Sequence, residues 1–197
     1  MRAHEILAEL APAKIHTNQN ITNLKELVEY MATLGFTVLG GGEFSLVFEN
    51  PRFGQVVKIY NDECYDSFIE FCKSRPGDPC LPKFRGNSVR LAPNARMIRI
   101  ERLEDVEYDE LAASGFFTLE KIAKSPWVEW EQWDMTPEQE DMLKTLKALY
   151  AIKSDKCFMD LGHNVMRRGE QLVIVDPFAP DRNGWFSTHR PKDWTPG

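Results

Sequence analysis

The run Asp160-Leu-Gly-His-Asn164-Val-Met-Arg-Arg-Gly-Glu-Gln-Leu-Val-Ile-Val-Asp176-Pro177 leaves the chain little conformational freedom. A carboxylate and a carboxamide share a tight loop, Arg168-Gly169-Glu170 supplies a turn, and the apolar stretch Leu172-Val-Ile-Val leads to a second carboxylate. Turn residues alternating with short β-branched runs read as a loop followed by a hairpin. Asp176 closes an apolar strand, where an uncompensated buried carboxylate is costly, so a metal ion or a cation must offset it. An Asp, an Asn and a second Asp on a rigid hairpin suit a hard cation held against phosphate oxygens. That chemistry asks for fixed charges more than for covalent steps.

A second constellation lies upstream. Leu39-Gly-Gly-Gly-Glu-Phe44-Ser-Leu-Val47-Phe reads as strand, glycine turn, strand, and Gln55-Val-Val-Lys58-Ile-Tyr60 follows after the turn residues Asn50-Pro51 and Phe53-Gly54. Gly40 and Gly42 let backbone N–H groups approach phosphates without a Cβ in the way. Lys58 is a lone cation in an apolar strand and needs a partner if that strand is buried. The plainer readings are a hairpin turn and an edge-strand lysine facing solvent. The order of the features is what raises them: glycine turn, strand lysine, helix, Asp loop, Asn, hairpin, Asp.

That order resembles protein kinases, with their Gly-rich loop, strand lysine, catalytic-loop Asp and metal-holding Asn and Asp. More narrowly, Phe36 to Phe48, Val-Val-Lys58, Phe71-Cys72-Lys-Ser-Arg-Pro76, Asp160…Asn164 and Val175-Asp176-Pro177 are similar to the kinase domain of the early serine/threonine kinases of autographivirus-type bacteriophages. Pro177 after the metal Asp, and Ser45 at the third loop glycine, point to these rather than to eukaryotic kinases. The resemblance spans roughly residues 20–180 and is patchy between motifs.

It implies an α+β, reduced protein-kinase-like bilobal fold with a small antiparallel sheet lobe and a short helical lobe. It also implies ATP and Mg²⁺ as cofactors and host bacterial proteins as substrates. Asp160 and Lys58 would be catalytic, and Asn164 and Asp176 would hold the metal. Gly40, Gly42, Phe44, Val47, Lys58, Glu101 and Leu103 would contact the nucleotide. The domain plan is residues 1–35 as N-terminal helices, 36–103 as the nucleotide-binding sheet lobe and 104–197 as the helical lobe. The basic C-terminal extension of those phage kinases has no counterpart here, so its host-shutoff activity is not carried over.

Composition narrows the alternatives. At 197 residues with 43% hydrophobic and 27% charged residues the chain supports one core or two small ones. A net charge of −6 speaks against a general nucleic-acid or anionic-membrane binder. No apolar run is long enough to span a bilayer, and the charged start Met-Arg-Ala-His-Glu is no signal peptide, so a cytoplasmic protein is expected, and the resemblance implies the cytoplasm of an infected bacterial cell. Cys64, Cys72, Cys80 and Cys157 form no Cys-x-x-Cys pair; free thiols are the expectation, and Cys64/Cys72/Cys80 lack metal-ligand spacing.

Along the chain, residues 3–11 and 23–34 read as helices, the latter with an apolar stripe from Leu24 to Leu34 and an Asn23/Glu26 cap. Strands are expected at 36–40, 44–49, 55–60, 87–91 and 95–100, and a helix at 62–73 whose Glu63 or Glu70 is the candidate partner of Lys58. The acidic stretch Glu101 to Glu110 reads as a solvated face. Thr136-Pro137-Glu138-Gln139 opens a helix with a cap, a first-turn proline and a box partner, and Met142, Leu143, Leu146, Leu149 and Tyr150 mark its buried stripe. Trp127, Trp130 and Trp133 read as packing residues or a surface ridge.

Two departures qualify the resemblance. Asp160 precedes Asn164 by four positions, one fewer than the kinase Asp-x-x-x-x-Asn spacing. Either the loop re-routes through Gly162 or Asp160 is not a competent base, and His163 is a loop-packing residue or a substitute acid/base. Only 21 residues follow Asp176, which leaves no room for a full activation segment. A pseudokinase that binds and inhibits a host protein is the alternative. A small-molecule phosphotransferase would need a larger helical lobe.

Overall fold

The computed structural model describes residues 15–18, 20–52, 54–125 and 134–180. The expected helix at 3–11, the Trp127/Trp130/Trp133 group and the tail from 181 on lie outside them. The fold is α+β, with a small antiparallel sheet and few helices, and the chain divides into two compact units.

The first unit takes the described residues up to Asp62 together with Phe84–Arg102. Helix α1 (Leu24–Thr33) opens on Asn23, whose side chain accepts from Glu26 N at 3.0 Å, while the Glu26 carboxylate reaches back to Thr22 N at 2.7 Å. The loop-back falls one residue earlier than in a standard capping box. Strands β1 (Thr37–Gly41), β2 (Ser45–Asn50), β3 (Gln55–Tyr60), β4 (Phe84–Ala92) and β5 (Ala95–Ile100) form an antiparallel sheet in the order β1-β2-β3-β5-β4. Strand β4 starts three residues earlier than the hydrophobic pattern indicated, at Phe84, because exposed Arg85 and Gly86 carry no apolar alternation. Leu24, Leu27 and Met31 of α1 pack on Leu46, Phe48, Val57, Ile59 and Met97 of the sheet. Burying such side chains is worth about 1.5–3 kcal/mol each, which is what holds helix to sheet.

The second unit takes Glu63–Lys83 and the described residues from Leu103 on. Its elements are α2 (Glu63–Ser74), β6 (Glu104–Asp105), α3 (Tyr108–Ala113), α4 (Phe116–Lys124), α5 (Pro137–Ile152), β7 (Cys157–Met159), β8 (Val165–Arg168), β9 (Gln171–Ile174) and β10 (Phe178–Pro180). Helix α5 begins with the full capping box, Thr136 and Gln139 bonded reciprocally. Gln139 Nε2 also donates to Ser114 O at 3.1 Å, joining α5 to the α3–α4 turn. Strand β6 extends the β8–β9 hairpin to three strands, and β7 pairs with β10. Tyr65, Phe68, Phe116, Leu143, Leu146 and Leu149 are fully buried, and Phe68 stacks edge-on against Phe178 of β10.

The expectation of four free thiols fails in this unit. Cys64 of α2 and Cys157 of β7 form a disulfide across 93 residues, with Cα atoms 6.1 Å apart. The cause is tertiary: α2 packs on β10, β10 pairs with β7, and the two cysteines arrive side by side. Cys72 and Cys80 stay free and buried. Burial first, and the Asp78 carboxylate second, push both thiols up, Cys80 to about 12, so neither is a ready nucleophile.

Candidate functional site

In the first unit the site residues are set by strand register. Gly40 of β1 stands opposite Val47 of β2, Val47 opposite Lys58 of β3, and Lys58 opposite Ile98 of β5. Residues directly opposite share a face, so Val47 and Lys58 lie beside a position with no side chain. A bulge between Val38 and Gly40 sets this register. The turn closes through Gly42 N to Ser45 O at 2.9 Å, and Asn61 N holds Phe44 O at 3.1 Å. Lys58 is 6% exposed, and a buried ammonium persists only with compensating acceptors or charge.

The three glycines are not equivalent. A Cβ on Gly40 or Gly42 would meet nothing within 4 Å, whereas on Gly41 it would lie 2.4 Å from Leu46 Cδ2 and 2.9 Å from Ser45 O. None has positive φ. Packing therefore requires Gly41, which the sequence reading had not singled out, while Gly40 and Gly42 leave open space for a ligand.

In the second unit Asp160, Asn164 and Asp176 come together through one set of backbone bonds. Asp160 N donates to Pro177 O at 2.9 Å and Val175 N to Asn164 O at 2.9 Å. Both ends of the Asp160–Asn164 loop are thus tied to the segment that carries Asp176. Inside the loop, Asn164 N donates to Leu161 O at 3.3 Å and Asn164 Nδ2 to Asp160 O at 2.8 Å. The short spacing is accommodated as a turn with Gly162 and His163 at its tip, anchored by Leu161, which is 3% exposed. Gly162 needs no left-handed backbone for this. The Asp160 side chain is exposed, and Asp176 Oδ1 is fully buried.

Distant residues hold this arrangement. Arg168 donates to Pro79 O and Leu81 O, each at 3.0 Å, and Ile174 N donates to Cys80 O at 2.9 Å. Asp78 in turn accepts from Arg75 at 3.1 Å, from Thr145 at 2.9 Å and from Cys80 N at 3.0 Å. The loop Arg75–Pro82, featureless as sequence, is the brace of the hairpin. Its local signals, Pro76-Gly77 and Asp78-Pro79, are turn cues that name no partner.

Buried Leu103 leads into β6, whose Asp105 stands opposite Met166. A pocket of about 260 Å³ opens here, with Val106, Met166 and Val175 as apolar lining and Asp105 and His163 contributing polar groups. His163 is therefore a pocket-lining residue and not a buried packing one. The acidic stretch is a solvated face as expected, with Glu104, Asp105, Glu107, Asp109 and Glu110 all exposed, and Arg167 pairs on it with Glu104 at 3.2 Å and with Glu110 at 2.8 Å. Glu63 and Glu70 are both exposed, and Glu70 pairs with Lys73 of its own helix at 3.2 Å. Glu101 is partly buried, next to the start of this segment.

The donor set fits a magnesium ion bound together with phosphates. Asn164 spends its amide nitrogen on Asp160 O, which leaves its carboxamide oxygen, with the Asp176 carboxylate, as two hard oxygen groups that could hold an ion. Mg²⁺ takes one or two carboxylates and completes its shell with phosphate and water. Among the described residues no group of three or more His, Cys, Asp or Glu could hold an ion unaided.

No family model matches the chain, and no curated protein does. Among solved structures, the crystal structure of Rad53 1–466 in complex with AMP-PNP overlays with TM-score 0.40 and 15% identity, over 75% of this chain and 42% of that one. This chain thus spans less than half the length of that neighbour, and so loose an overlay decides nothing about the site.

Proposed function

We propose that the chain is an ATP- and Mg²⁺-dependent serine/threonine protein kinase of the bacteriophage type, acting on host proteins in the cytoplasm of an infected bacterium. The observation that carries this reading is the bonding of the Asp160–Asn164 loop at both ends to the Asp176 segment. A base and a carboxamide on one loop, tied to a neighbouring segment that carries a carboxylate, is the set of groups that phosphoryl transfer to a hydroxyl uses.

Asp160, exposed and fixed at its N–H and its C=O, would accept the proton of a substrate serine or threonine hydroxyl. Asn164 and Asp176 would hold the ion, which supplies neutralisation of the charge developing on the transferred group. Lys58 would add a fixed cation from β3, and the open backbone at Gly40 and Gly42 would admit the phosphates, with Phe44 over them. Val47 and Leu103 are the apolar residues, and Glu101 the polar one, assigned to the nucleoside. The pocket lined by Val106, Met166 and Val175, with Asp105 and His163, suits an apolar ring and adjoining hydroxyls.

No helix among the described residues is long and apolar enough to cross a membrane. In a reducing cytoplasm the Cys64–Cys157 bond would persist only through its burial, at 4% and 8% exposure.

The test is nucleotide-dependent stabilisation. Mg·ATP should raise the melting temperature of the parent, and Asp176→Asn should remove the Mg²⁺-dependent part of that rise. Equal shifts in both proteins would end the metal assignment. A second reading, a pseudokinase that binds and inhibits a host protein, draws on the one-residue-short Asp160–Asn164 turn. Absence of autophosphorylation in the parent, together with a stoichiometric complex with a host protein, would favour it.

A further inference from the structure

The β4–β5 hairpin places arginine opposite arginine twice. Arg85 faces Arg99, and Arg90 faces Arg96. Like charges directly opposite destabilise a sheet, so a hairpin with two such pairs gives up stability unless something else gains. Residues 84–102 hold five arginines and one acid, a local net charge of +4 in a chain of net −6.

Two of the five are used within the fold: Arg102 pairs with Glu49, and Arg96 Nε donates to Ser88 Oγ at 3.0 Å. Among the described residues Arg85, Arg90 and Arg99 are exposed and make no ion pair. Arg85 and Arg99 share their face with Val89, which is 45% exposed. Strand β4 is also the sheet edge. Among the described residues its outer side is bonded at its C-terminal end, by Asn18 N to Leu91 O at 2.7 Å and Thr17 Oγ1 to Arg90 O at 2.9 Å.

We infer that this hairpin docks an acidic segment of another protein, an extended stretch in which carboxylates alternate with aliphatic side chains. Guanidinium groups bind carboxylates bidentately, and an edge strand offers backbone pairing to an extended peptide. Carboxylates set between Arg85 and Arg99 would relieve the repulsion that the fold leaves standing. The net negative charge of the whole chain opposes a long polyanion such as nucleic acid, whose phosphates act over the full surface. A short acidic peptide meets only the local field, because salt screens the rest within about 10 Å.

The test uses the whole chain and a fluorescent peptide of alternating Glu and Val, read by anisotropy, beside a Gln/Val peptide and a single-stranded DNA oligonucleotide of equal charge. The parent should bind the Glu/Val peptide saturably and the Gln/Val peptide not at all. Affinity should fall as salt rises, and Arg85→Glu/Arg99→Glu should lower it at least about tenfold, as truncation of arginine anchors commonly does. That variant should melt no lower than the parent. If the reversal unfolds it, Arg85→Ala/Arg99→Ala replaces it with the same expectation. No binding by the parent, binding that survives both variants, or tighter binding of the oligonucleotide would overturn the inference. So would self-association of the parent that Arg85→Glu/Arg99→Glu abolishes, which would give the surface to a second copy of this chain.

Discussion

The candidate residues of the two units are held in place differently. Gly40, Val47 and Lys58 lie within twenty residues of sequence and are aligned by two hairpin registers. Asp160, Asn164 and Asp176 are equally close in sequence, but their positions depend on partners far away. Arg168 bonds Pro79 and Leu81, Ile174 bonds Cys80, and Cys157 is joined to Cys64 across 93 residues. A sheet carries its own ladder. A five-residue loop with two internal bonds does not, and misplacement of about 1 Å can cost roughly a hundredfold in rate. The lesson is that the loop residues depend on α2 and on the loop after it, while the registers that place Gly40, Val47 and Lys58 are set within the first sheet itself.

The largest effect should come from removing chemistry without touching either scaffold. Asp160→Ala is expected to lower phosphoryl transfer by about 10²- to 10⁴-fold, the usual range for a positioned base. ATP affinity should hardly change, because Asp160 is exposed and only its backbone is bonded. Single-turnover rates beside nucleotide titration would show this, and a parallel loss of affinity would mean that the side chain organises the loop.

Cutting the long-range brace comes next. Cys64→Ser/Cys157→Ser, or reduction of the bond, should destabilise the second unit by about 2–5 kcal/mol, the usual worth of a native disulfide. Hydrogen exchange should rise in β7, β10 and the Asp160 loop and stay unchanged in β1–β3. Equal loss of protection in both units would erase the distinction drawn above.

Within the sheet half, the glycines separate packing from ligand space. Gly41→Ala forces a Cβ to within 2.9 Å of the Ser45 carbonyl and should cost about 1–3 kcal/mol. Gly40→Ala meets nothing and should leave the melting temperature unchanged while weakening nucleotide binding. If Gly40→Ala binds nucleotide as well as the parent does, phosphates do not pass that backbone.

A smaller effect is expected in alkali. The folded state holds the Cys80 thiol up at about 12 against an ordinary value of 9.0, chiefly through burial, and Cys72 is raised in the same direction. A raised folded pKa means that the unfolded chain loses its protons first, so stability is full below pH 9.0 and falls toward about 12. Both thiols are in the second unit, so its exchange protection should decay first as pH climbs. A flat profile would show that the thiols ionise without unfolding.

Local regularity was legible wherever local physics decides it. The stripe Leu24–Leu27–Met31, the alternation in β2 and β3, and the Thr136–Gln139 box are short-range patterns with few competing outcomes, and each element stands within a residue or two of its expected bounds. The β8–β9 hairpin that leads to Asp176 was legible for the same reason, from its turn residues and apolar return strand, whereas the short strand β7 ahead of Asp160 was not.

Tertiary structure alone decided the rest. Nothing in the spacing of four cysteines pairs Cys64 with Cys157, because the pairing follows from α2 meeting β10 and β10 meeting β7. Nothing in an acidic run assigns Glu104 and Glu110 to Arg167, and nothing in a glycine triplet marks Gly41 as the one with no room. That α2, expected between two strands of the first sheet, packs in the second unit is likewise invisible along the chain. Periodicity tells a segment which face to bury but not what will cover it. Side chains find their partners only when distant segments share a core.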